Sequence, residues 1–460
     1  MIRNMENLKF STNMKKTILA AFAFLLAAAP AVQAQKVNRS SILQKIEKSD
    51  ADIADAKKNG KAATWIARGK AFYEAASAPT KDLFQNMEAV MLKLSVGEPQ
   101  SKGTATILDK ECEAWVYPYF VAYIQDGKVA GWKQTQWVLE DAPEKAIEAY
   151  AKAYELDSKS ATKVKEGLQQ VSDYCAQIGN VGLATGDVLG SAVAFAQSFD
   201  AQAVPAFGKA DPTLLYYSGY LYTMDGTNNP QSFAKGAEYL NRAIDLGFND
   251  EEGNIYYYLF HSYYGQKDAD RANVMKAKEA LLTGIEKFPK NERILDGLMQ
   301  LYTSEEGVGD PADLVSRIDQ MLAENPENID MWFGRGRTFF ALKNYDESIA
   351  SFLKIVELKP DLFEGNYYLG IFYTVKGDEA NTEINAKQYS SQAAYDEDLK
   401  AVNAIYMQAV PWLEKAYEID PSHVDTLEYL KQLCFRLRDE EGMMDKYQKY
   451  NQLYKEAQAQ

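Results

Sequence analysis

Two stretches of this chain, WIARGKAF (65–72) and WFGRGRTF (332–339), hold the same residue at four matching positions: Trp, Arg, Gly and Phe. Trp332, Gly336 and Phe339 are four and three residues apart, which places them on one face of a helix. Asn344 marks a turn, as a residue that tolerates the left-handed conformation. Ser348, Phe352 and Ile355 then repeat the spacing on a second helix, and Pro360 closes it. A helix pair this short cannot bury its apolar stripe alone. Copies must stack beside it, so the pattern constrains the chain to a repeat array.

Copies are present. Leu215, Gly219 and Tyr222 share a first-helix face, answered by Leu240 and Ala243. Tyr256, Leu259 and Tyr263 are followed by Ala277, Leu281, Gly284 and Pro289; Leu295, Leu298 and Tyr302 by Leu314, Ile318 and Pro326. Asn366, Leu369, Gly370 and Tyr373 lead to Ala409, Leu413, Ala416 and Pro421. Pro289, Pro326 and Pro360 are 37 and 34 residues apart.

Trp332, Gly336, Phe339, Ser348, Phe352 and Pro360 together resemble one tetratricopeptide repeat, whose period is about 34 residues. Arg335 stands where that family has Leu. The resemblance, to secreted bacterial (Bacteroidetes-like) members, implies an all-α helical-hairpin superhelix that serves as a protein-interaction scaffold without chemistry of its own.

Along the chain, residues 35–61 are expected to form a capping helix and 62–210 a degenerate region. A regular array follows over 211–421, then C-terminal capping helices over 422–460. The second helix of the first repeat comes late, with Ala146, Tyr150 and Ala153. In the gap, about 115–134 reads as a β-hairpin turning on Asp126-Gly127, a dipeptide that accepts positive φ at both positions. An isolated hairpin is marginal, so Trp132 or Trp137 should pin it to a helix. The Gly-rich stretch 179–190 reads as a break in the second pair. A further insertion, about 378–404, should lengthen the second helix of its repeat and the loop before it, with Pro411 as a kink.

Met14-Lys15-Lys16, an apolar run from Thr17 to Ala31 and Val32-Gln33-Ala34 form a signal peptide pattern ending at residue 34. No Cys follows the run for lipid attachment, so a periplasmic or secreted protein is expected. Removing Arg3, Glu6, Lys9, Lys15 and Lys16 takes the formal charge from −15 to −18. A chain so acidic, with no concentrated basic patch, is not expected to bind nucleic acid. Pro30 interrupts the apolar run too early for a membrane-spanning helix. Cys112, Cys175 and Cys434 lack Cys-x-x-Cys spacing and are read as buried small hydrophobes.

The enzyme reading fails on its parts. Two histidines, His261 and His423, make no metal cluster. Gly97, Lys102, Gly103 and Thr104 stand in the wrong order for a phosphate-binding loop. No cofactor is implied. Tyrosine is the unusual residue, at 30. In the family resembled, first helices line a concave groove, and positions one, five and eight after the Trp position share a stripe. That stripe holds Tyr216 and Tyr220, then Tyr257, His261 and Tyr264, then Phe333, Arg337 and Phe340, then Tyr367. The part of it made by Tyr216, Tyr220, Tyr257 and Tyr264 reads as aromatic and nearly uncharged. The expected partner is a protein or peptide in an envelope complex; a glycan stacked on the rings is the alternative. On this reading Tyr220→Ala with Tyr257→Ala weakens capture and spares the melting temperature.

Overall fold

The computed structural model describes residues 37–458. The signal segment read at residues 1–34 lies outside them. In chain order the elements are α1 (Arg39–Ala54), α2 (Ala62–Ser77), α3 (Ala89–Val96), then β1 (Ser101–Ile107), β2 (Lys110–Val116), β3 (Phe120–Gln125) and β4 (Lys128–Gln134). Next come α4 (Ala142–Leu156), α5 (Ala161–Thr185), α6 (Val188–Ala203), α7 (Thr213–Asp225), α8 (Ser232–Asp245), α9 (Asn254–Tyr264) and α10 (Ala272–Lys287). The last are α11 (Glu292–Ser304), α12 (Pro311–Glu324), α13 (Ile329–Ala341), α14 (Tyr345–Leu358), α15 (Phe363–Ala386), α16 (Gln392–Ile419), α17 (Val424–Arg436) and α18 (Met443–Gln458).

The helices form a solenoid of antiparallel hairpins whose cores are the stripes read from sequence. Leu215, Leu240 and Ala243 are fully buried, as are Leu298, Leu314, Leu369, Leu413 and Cys434. Close approach within a hairpin depends on glycine. A Cβ on Gly69 would lie 2.8 Å from the Tyr150 ring, and one on Gly336 2.5 Å from the Phe352 ring. The turn between α13 and α14 differs from expectation. Lys343 takes the left-handed conformation, at φ 59°. Asn344 is instead the N-cap of α14, its side chain accepting from the Glu347 amide at 3.4 Å.

The insertion is larger than a hairpin: it is a four-stranded antiparallel meander in the order β1-β2-β3-β4, with α3 packed on it. The β3–β4 turn is Asp126-Gly127, with φ 51° and 74°. The turn between β1 and β2 has the same handedness but is made by Leu108 and Asp109, at φ 47° and 65°. It lacks the glycine that signals such turns, which is why this hairpin is not visible in the sequence. Trp132 is buried in the module, whereas Trp137 is 45% exposed.

Two further expectations change. Helix α5 runs unbroken through Gly179 and Gly182, which let α6 approach through Phe195 and Ser191; the turn falls at Gly186, φ 77°. The insertion near 378–404 lengthens α15 as well as α16, leaving only residues 387–391 between them. Helix α16 is continuous through Pro411.

Candidate partner-binding face

The first helices of successive pairs, α9, α11, α13, α15 and α17, carry a linked row of aromatic and charged side chains. At one end the Tyr257 ring meets the His261 ring edge-on at 4.4 Å. Burial holds the His261 imidazolium down to about 4, so this ring is neutral at physiological pH. Tyr264 donates to Glu305 at 2.7 Å, and Lys267 donates to both Tyr264 Oη and Glu305 at 2.8 and 2.7 Å. Arg271 closes on the other Glu305 oxygen at 2.6 Å. Hydrogen bonds from Lys267 first, then Tyr264 and Arg271, hold the Glu305 carboxyl down to about 2. The wall that reads as nearly uncharged in sequence is therefore charged, because neighbouring positions supply the charge.

The row continues on α11. Arg293 lies 3.4 Å from Asn254 Oδ1 and from the Tyr258 hydroxyl. Burial raises the Asp296 carboxyl; Arg337 pulls it back and Glu292 pushes it further up. Arg337 on α13 lies 3.6 Å from Glu292 Oε1 and 5.6 Å from the Tyr368 ring centre. Tyr368 donates its hydroxyl to Glu292 at 2.8 Å. On α15, Tyr367 stacks on Phe363 at 5.4 Å and meets His423 at 5.0 Å and Tyr429 at 6.3 Å. Burial pushes the Tyr367 phenol up to about 12.

The stripe read from sequence divides in two. Tyr257, His261, Tyr264, Arg337, Phe340 and Tyr367 are half-buried. Tyr216, Tyr220 and Phe333 are only 5%, 8% and 5% exposed. Tyr216 packs on Phe248 at 4.7 Å and Tyr220 on Tyr258 at 4.5 Å, between α7 and α9; Phe333 packs on Phe352 at 5.2 Å. These three rings fill the space between helices. Truncating Tyr220 is accordingly expected to act as a core substitution and to lower the melting temperature, against the expectation above. The sequence reading also missed Arg293, Glu292 and Tyr368, which fall outside the stripe positions and carry the polar links.

Paired charges beside half-buried rings can bind an extended chain, by hydrogen bonding to its backbone and stacking on its side chains. Among the described residues no group of three His, Cys, Asp or Glu could hold a metal ion.

These elements define a tetratricopeptide-type helical-hairpin solenoid with a small inserted sheet. The family model for the tetratricopeptide repeat matches residues 329–362, which are α13, α14 and their flanks. Solved structures similar to the chain include a crystal structure of MamA, 15% identical, covering 42% of this chain and 94% of that one at a TM-score of 0.27. Another is a TPR repeats protein from Bacteroides fragilis, 16% identical, covering 57% of this chain and 97% of that one, also at 0.27. No curated protein matches the chain.

Proposed function

We propose that this chain is an exported, non-enzymatic scaffold that holds an extended protein or peptide segment along the first-helix face from α9 to α17. The observation that carries the reading is the row itself: Tyr257, Arg293, Arg337, Tyr368 and Tyr367 lie on four successive first helices, α9 to α15, linked through charges and ring edges, and Tyr367 meets Tyr429 on a fifth, α17. Tyrosine and arginine are the residues that most often dominate binding energy at such surfaces. The tetratricopeptide-type fold is in general a platform for protein partners. Export rests on the signal pattern of residues 1–34, and an envelope complex is the setting that export implies. A glycan is the second reading, favoured by the ring group Phe363, Tyr367, His423 and Tyr429.

The test uses a photo-crosslinking residue at Tyr257 or at Tyr367, with Leu353 as control. Leu353 lies on the second helix α14 and is 37% exposed. One protein adduct at both face positions and none at Leu353 is expected. Tyr257→Ala with Tyr367→Ala should then weaken capture by about 2 kcal/mol or more. Adducts that are equal at Leu353 would overturn the face, and capture abolished by glycosidase but not by protease would favour the glycan.

A further inference from the structure

The two edges of the inserted sheet are treated differently. The β4 edge is covered by the chain that leads into α3. Asn86 N donates to Val129 O and Val129 N to Met87 O, both at 2.8 Å, and Ala89 N donates to Gly127 O at 2.9 Å. The β1 edge has no such cover. Among the described residues, Ser101–Ile107 make no backbone hydrogen bond beyond their ladder to β2. Five of the seven are exposed and two are half-buried. A Cβ on Gly103 would meet nothing within 4 Å.

Most of the usual protections of an open edge are also missing, and its one charged residue, Lys102, lies over the Trp115 ring of β2 at 3.9 Å. The strand, SKGTATI, has no Pro and a single Lys, and it pairs with β2 in seven successive positions without a bulge. Natural sheets normally blunt such an edge with charge, proline, a bulge or a covering segment. Here only β4 is covered, so the sheet can add a strand on one side alone.

We propose that β1 pairs with β1 of a second copy of this chain, antiparallel about a twofold axis at Thr104, to make one eight-stranded sheet. The strand is complementary to itself in that register. Thr104 faces Thr104, Gly103 faces Ala105, Lys102 faces Thr106 and Ser101 faces Ile107, so no like charges oppose each other. The same register brings Leu108, which is 61% exposed, against the Pro99–Gln100 segment of the other copy. Because each sheet has one open edge, pairing closes at two copies and does not propagate into a fibre.

Thr104→Cys tests the register. In an antiparallel pair, directly opposed Cα atoms are about 4.5–5.5 Å apart, within the range a disulfide spans. Mild oxidation of the purified variant should give a covalent dimer. Thr106→Cys should not, because its two copies would lie about 13 Å apart. The three native cysteines are buried and free, so they do not compete. Light scattering should give twice the chain mass for the unmodified protein and one chain mass for Thr104→Lys, which opposes two like charges at an exposed position. The melting temperature of Thr104→Lys, extrapolated to low concentration, should stay unchanged. A monomer mass for the unmodified protein, equal cross-linking at Thr104 and Thr106, or a Thr104→Lys variant that remains dimeric would each overturn the proposal.

Discussion

The hairpins α2/α4 and α13/α14 are built on the same four residues, yet three residues connect the second and 64 connect the first. Their packing is nonetheless alike in detail. Trp65 donates its indole N–H to Asn59 O at 2.7 Å, and Trp332 donates to Pro326 O at 2.8 Å, each six residues back. Arg68 lies over the Phe72 ring at 4.7 Å and Arg335 over Phe339 at 4.6 Å. Arg335 reaches back to Asp319 on α12, the second helix of the preceding pair. Arg68 makes the equivalent reach to Ser49 and Asp50 on α1. Helix α1 thus stands in for a preceding second helix, which is what a terminal cap must do. The shared residues decide how two helices meet, and the connection between them is free to vary, because the entropy of closing a longer loop grows only logarithmically.

The difference between the two hairpins lies in the ring that fills the glycine notch: Tyr150 in the first and Phe352 in the second. Both are fully buried. Truncation should therefore be the most damaging change in either place. Tyr150→Ala and Phe352→Ala are each expected to cost about 3–5 kcal/mol, read from chemical denaturation. A loss below about 1 kcal/mol at Tyr150 alone would mean that the sheet insertion, and not the notch, holds α2 against α4.

How much of this was readable in advance follows from the same contacts. The notch, the stripe and the repeat period are local patterns, so Gly69, Tyr150, Gly336 and Phe352 could all be placed from spacing. The β1–β2 hairpin could not, because Leu108 and Asp109 adopt positive φ without a glycine to announce it. The glycines of α5 were misread for the opposite reason: Gly179 and Gly182 serve close approach to α6, and only Gly186 turns the chain. On the proposed face, the stripe rule named Tyr257, Arg337 and Tyr367, which are half-buried. It took Tyr216, Tyr220 and Phe333 for surface, because sequence does not show which rings a neighbouring helix will cover.

The tyrosine also makes the notch of the first hairpin alkali-sensitive, which the Phe352 notch of the second is not. Burial pushes the Tyr150 phenol up to about 12 from an ordinary 10.0, and its hydroxyl finds no hydrogen-bond partner among the described residues. The unfolded phenol ionises from about pH 10 while the folded one stays neutral to about 12. Stability is then intact below pH 10 and is lost progressively over pH 10–12, by up to about 2–3 kcal/mol from this group. Tyr150→Phe should remove that loss. At neutral pH it should leave stability equal or slightly higher, since no hydrogen bond is sacrificed. Denaturation of both proteins at pH 8 and pH 11 measures the effect as a difference of differences, and identical losses would show that the phenol is hydrated in the folded state.

The smallest expected effect probes whether the two hairpins are equivalent at their entrances. Each indole N–H satisfies a carbonyl just before its helix, and each tryptophan is only half-buried. Trp65→Phe and Trp332→Phe keep most of the ring and remove that bond. A neutral hydrogen bond contributes about 0.5–1.5 kcal/mol, and a carbonyl near the surface recovers part of that from water. The loss should therefore fall in the lower part of this range and be the same at both sites, within about 0.5 kcal/mol, since each indole donates to one carbonyl six residues back at nearly the same distance. A larger loss at Trp332 would mean that its repeat depends on neighbours on both sides. A larger loss at Trp65 would mean that α1, as a single helix, is the weaker support, so that a cap needs the indole bond more than an interior repeat does.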